Sequence, residues 1–141
     1  MRQPALFEAT PTDTDIERLH QQNRAHVRAC GTCDHSGTRC AEGQALIDDR
    51  DTAAADFAEA QALRVPGAQI TGRKGSMVHL DLGPDLRAGI FHFPYDRQWR
   101  VIVGRPSQGI RAASGRYCEA SEITATLQAL RDQYTYGGED Q

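Results

Sequence analysis

No stretch of this 141-residue chain comes near the roughly 20 consecutive apolar residues that a membrane span needs. Its first fifteen residues, MRQPALFEATPTDTD, contain no apolar h-region, so no secretory signal is visible and the expected location is the cytoplasm. P-loop, dinucleotide fingerprint and nucleophile elbow are all missing, which removes the common nucleotide- and ester-handling enzymes from first consideration. No internal repeat and no recognised nucleic-acid motif is present. Lysine is nearly absent: Lys74 stands alone against 15 arginines, while alanine reaches 19 residues. Arginine and alanine are both encoded by GC-rich codons, so the composition points to a GC-rich bacterium, its phage or its plasmid.

What remains is an ordinary globular composition, 39% hydrophobic and 25% charged, in a chain of single-domain length. Residues 1–12 read as a loose arm carrying Pro4 and Pro11. A first helix is expected over about Asp13 to Cys30, capped by Thr12 or Asp13 and ended by Gly31, with Ile16, Leu19, Val27 and Cys30 as its apolar stripe. A second is expected from Cys40 to Leu63, stopped by Pro66-Gly67, with Leu46, Ile47, Ala54, Phe57 and Ala58 inward and a possible break at the DDRD run. Over 68–113 the period changes to two, with strands around SMVHLDLG, AGIFHFPY and RQWRVIVG and edge strands at 68–73 and 109–113. Short links between them favour an antiparallel meander of three to five strands. A last helix is expected within 119–135, with Ser121 as cap and Ile123, Leu127, Leu130 and Tyr134 inward. The expected fold class is therefore α+β, with a metal-linked helical hairpin over 13–64, the sheet, and a C-terminal helix.

Three of the four cysteines fall in HVRACGTCDHSGTRC. His26 and Cys30 are four apart, one turn on one helix face. Cys33 follows in CGTC, and Cys40 opens the second helix. His26, Cys30, Cys33 and Cys40 make a complete tetrahedral donor set, so structural zinc at the junction of the two helices is the expected cofactor. Alternatives are His35 or His20 in place of His26, an iron–sulfur cluster, and a set of free or redox-active thiols. A thioredoxin-type role fits poorly, because Cys30 closes a helix where that chemistry needs a cysteine opening one. Cys118 reads as a small buried hydrophobe.

HVRACGTC resembles the H-x3-C-x2-C motif of zinc-containing anti-sigma factors, small helical regulators. The resemblance covers eight residues and implies a zinc-pinned helix pair on His26, Cys30 and Cys33. The chain departs from that family in taking its extra thiol, Cys40, from downstream, and in its sheet.

Net charge is −3, yet residues 65–117 hold eight basic residues against three acids. That segment either attracts an anionic partner or neutralises acidic helices of the same molecule. Arg73, Lys74, Arg97 and Arg100 are the candidate contacts for nucleic acid or protein. Alternation places Phe91, Phe93 and Tyr95 on one face, expected to cover the core. The expected function is a zinc-stabilised regulatory or binding protein that engages a protein or nucleic acid. The competing readings are a small enzyme with His79, Asp81 and His92 gathered on one outer sheet face, and a thiol–zinc redox switch.

Overall fold

A computed structural model describes residues 10–34, 37–109 and 112–134. Helix α1 spans Asp13–Ala29 and opens on a capping box: the Thr12 hydroxyl accepts the Asp15 N–H, and the Asp15 carboxylate accepts the Thr12 N–H at 2.8 Å. Its buried side is Ile16, Leu19, His20 and Asn23. Helix α2, Ala41–Ala62, runs unbroken through the DDRD segment. Its buried face is built from alanine, at Ala53, Ala54, Ala55, Ala58 and Ala62, so two neighbours can approach it closely. The larger Leu46 and Ile47, expected inward, are only half-buried.

Strands β1 (Gln69–Lys74), β2 (Met77–Gly83), β3 (Leu86–Phe93), β4 (Gln98–Gly104) and β5 (Ser114–Cys118) pair in sequence order, all antiparallel. The last strand therefore lies at 114–118, not at the expected 109–113; residues 110 and 111 of that stretch lie outside the described residues. Helix α3, Ile123–Asp132, follows a 3-10 turn at Ala120–Glu122, whose Glu122 carboxylate, not Ser121, accepts the Glu119 N–H at 2.8 Å. Ile123, Leu127 and Leu130 are buried as expected. The Tyr134 hydroxyl donates to the Ala112 carbonyl at 2.7 Å, and Arg105 donates to the Tyr134 carbonyl at 2.6 Å, tying the end of α3 to the sheet.

Helices α2 and α3 pack on one face of the sheet, α2 over β1 and β2 and α3 over β4 and β5, while α1 packs on α2. One hydrophobic cluster joins them, with Val78, Leu80, Ile90, Trp99, Val101 and Val103 from the strands. Cys118 belongs to this cluster.

The ring residues of β3 depart from expectation. Ile90 pairs with both Val78 and Val101, all three fully buried, and this fixes which β3 residues face inward. A strand's faces alternate, so Phe91 and Phe93 fall on the outer face and His92 on the inner one. Phe93 is exposed, and Tyr95 sits in the β3–β4 turn, edge-on to His20 at 4.8 Å. His92 stacks on Trp99 at 4.5 Å, whereas His79 and Asp81 point outward. The gathered trio His79, Asp81 and His92 does not exist: the sheet stands between its two histidines.

Burial, with lesser contributions from Arg50 and His20, lowers the His92 pKa to about 4. His20 is lowered too, by burial first and by Arg50. Both imidazoles are neutral in the folded chain and titrate near 6.5 when it unfolds. The His92 contribution is complete above about pH 6.5 and is lost as pH falls toward 4. Denaturant titrations should show the wild type losing roughly 2 kcal/mol more than His92→Phe between pH 7 and 4.5. Parallel pH profiles would contradict this placement of His92.

Candidate metal centre

The junction of α1 and α2 brings four donors together. His26 lies in the last turn of α1. Cys30 is where the chain leaves the helix, in extended backbone, with its N–H still bonded to the His26 carbonyl at 2.8 Å. Gly31, expected to end the helix, follows this extended residue and is not among the glycines with positive φ. The following loop closes on itself, the Asp34 N–H donating to the Thr38 carbonyl and the Thr38 N–H to the Asp34 carboxylate. Arg39 also donates to the Asp34 and Thr38 carbonyls. Cys40 then caps α2, its sulfur accepting the Gly43 N–H at 3.3 Å in the place usually taken by a serine or aspartate oxygen.

His26, Cys30, Cys33 and Cys40 each offer one donor atom, and all four atoms lie within 4.8 Å of one another. The Cys40 sulfur is 3.6 Å from that of Cys33, 3.8 Å from that of Cys30, and 3.1 Å from His26 Nε2. On the far side of the imidazole, the Glu42 carboxylate lies 3.9 Å from Nδ1 and favours a ring orientation with Nε2 toward the sulfurs. This group can hold one metal ion.

Local electrostatics favours the thiolate at Cys30 and Cys40. The backbone N–H groups of Cys33 and Thr32 draw the Cys30 thiol down to about 6. The Gly43 N–H, then His26, lower Cys40, and the same hydrogen bond from Cys40 raises His26. Cys33 accepts the Cys40 N–H at 3.3 Å, which alone would lower it, but burial and the neighbouring thiols push it up. Such a cluster gives up its protons to a cation, so affinity rises with pH.

Of the alternative ligands, His20 is buried beside Arg50, its Nδ1 3.2 Å from a guanidinium nitrogen, and takes no part in the four-donor group. His35 lies outside the described residues. The candidate contact cations divide. Arg73 is bound to Asp56 and Glu59 of α2, and Arg97 lies 3.6 Å from Glu17 of α1. These two neutralise the molecule's own helices. Lys74 is exposed, and Arg100 lies over the Tyr117 ring at 4.8 Å. No protein family, curated protein or solved structure matches this chain.

Gly43 escaped the sequence reading. A Cβ there would stand 2.7 Å from the Cys33 sulfur and 3.3 Å from the His26 ring, so the first turn of α2 rests directly on the donors. In sequence it reads as one helix-weakening glycine near a helix start. Gly43→Ala should lower affinity for a divalent metal ion at least about tenfold in a chelator competition, the size of effect typical of groups that support ligands. Unchanged affinity would mean that α2 does not seat on the donor group.

Proposed function

We propose that this chain is a zinc-stabilised binding domain, in which one Zn2+ on His26, Cys30, Cys33 and Cys40 pins α1 to α2 and the folded domain engages another macromolecule. The four-donor group carries the reading. A tetrahedral ion with metal–sulfur bonds of about 2.3 Å sets its sulfurs about 3.8 Å apart, and the spacings from Cys40 are 3.6 and 3.8 Å. Three thiolates and one imidazole match the preference of zinc, whereas an iron–sulfur cluster prefers four thiolates. Four protein ligands fill the tetrahedron and leave no position for a substrate or an activated water, which makes the role structural.

Zinc with three thiolates carries a net charge of −1. A cleft of about 240 Å3 at this end of the molecule is lined by Arg24, Arg28 and Arg39, which offset that charge. The H-x3-C-x2-C resemblance to zinc-containing anti-sigma factors agrees with a pinned helix pair, and the binding surface is assigned elsewhere. The helices occupy one face of the sheet. The other face presents exposed Phe93 and Tyr117 together with Arg100, and it is the surface proposed to meet a partner.

Purified protein should contain one zinc per chain by elemental analysis. Cys33→Ser or a strong chelator should remove the ion and lower stability by about 3 kcal/mol or more, on the order of 10 °C in the thermal midpoint. Protein that purifies without zinc, with a midpoint indifferent to chelator, would overturn the proposal.

A further inference from the structure

The outer face of the sheet has an organisation that follows from its register. One row of paired residues crosses all five strands: Gly72, His79, Gly89, Ile102 and Gly115. Three of the five have no side chain, so the middle of the face is low. The neighbouring row carries Lys74 and Met77 on β1 and β2, then Phe91, Arg100 and Tyr117 on β3, β4 and β5. On the other flank stand Asp81 and Arg87.

The glycines let the flanking groups lie down. A Cβ on Gly89 would meet the Phe91 ring at 3.1 Å, and one on Gly115 would meet the Arg100 guanidinium at 2.9 Å. The ring and the guanidinium therefore lie against bare backbone. Tyr117 lies against that guanidinium, and its ring centroid is 5.7 Å from that of Phe93. Beside these plates run two shallow depressions of about 350 and 360 Å3 that share His79 and Arg87, so they adjoin across the strands.

We infer that this face is a platform for single-stranded nucleic acid, a partner assignment that rests on the binding-domain reading above. Aromatic rings and a guanidinium on an open sheet face suit stacking with bases, a contact that tolerates any base. Charge is complementary: Lys74, Arg87 and Arg100 stand against Asp81, which lies 3.4 Å from Arg87, and among the described residues Arg100 has no carboxylate partner. The groove crosses the strands and is walled by side chains, so it offers no free strand edge to an added peptide strand. A second copy fits poorly as well, because sheets that pack face to face interdigitate side chains, and a glycine floor would leave a void.

The test is fluorescence anisotropy of labelled oligo-uridylate and oligo-deoxythymidylate of about 15 nucleotides with the zinc-loaded protein, an oligonucleotide length within reach of one binding platform. Metal content and circular dichroism are recorded for every variant. Binding is expected to weaken roughly tenfold to twentyfold between about 50 and 200 mM salt, as for about three phosphate contacts. Tyr117→Ala and Arg100→Glu should each weaken it about tenfold, and Arg64→Glu on the helical side should leave it unchanged. A preference between the two oligonucleotides tells RNA from DNA. No binding to either at about 100 μM protein, or binding that Tyr117→Ala and Arg100→Glu leave intact, overturns the inference. So does a dimer broken by Tyr117→Ala in protein that ignores both oligonucleotides. If zinc and fold are intact in those cases, the zinc-stabilised domain stands and only the partner is wrong; loss of zinc from the wild type would sink both.

Discussion

Three sulfurs and one imidazole nitrogen lie within 4.8 Å of one another where α1 gives way to α2. The buried face of α2 is five alanines. Each offers a single methyl group, and burial of one carbon contributes only about 0.8 kcal/mol. Alanine gives closeness without much apolar area. The proposed ion on the donor group would compensate at the connection between the helices. Gly43 belongs to the same arrangement, because the first turn of α2 reaches the sulfurs only where no Cβ intervenes.

Once α1 and α2 are joined, charge distributes itself between the two faces of the sheet. Acids of the helices take arginines from the strands and turns: Glu17 takes Arg97, and Asp56 with Glu59 takes Arg73. The polar residues His20, Arg50 and His92 are enclosed between helices and sheet, where burial keeps the imidazoles neutral. Lys74, Arg87 and Arg100 stand on the outer face, where Arg87 lies 3.4 Å from Asp81 and Arg100 lies over the Tyr117 ring. Part of the excess of positive charge in residues 65–117 thus neutralises the molecule's own helices.

The helices, the meander and the donor group were legible because each has a local signature. Helix α1 begins at a capping box readable as T-x-x-D, and the inner faces of β2 and β4 alternate strictly. His26, Cys30, Cys33 and Cys40 announce themselves by residue type and spacing. What was misread depends on register. In AGIFHFPY both alternations carry bulky side chains, so the sequence favoured the three rings as core. Pairing of Ile90 with Val78 and Val101 reverses that choice, turns the half-buried His92 inward and dissolves the supposed His79, Asp81 and His92 trio. The glycine row was hidden for the same reason: Gly72, Gly89 and Gly115 are far apart in sequence and become neighbours of one row only through the pairing of five strands.

X-ray absorption at the zinc edge of the purified protein reads the identity and completeness of the metal shell. Three sulfurs at about 2.3 Å and one nitrogen at about 2.0 Å are expected, with no oxygen ligand. A shell of four sulfurs, a bound water, or iron in place of zinc would contradict the proposed zinc site.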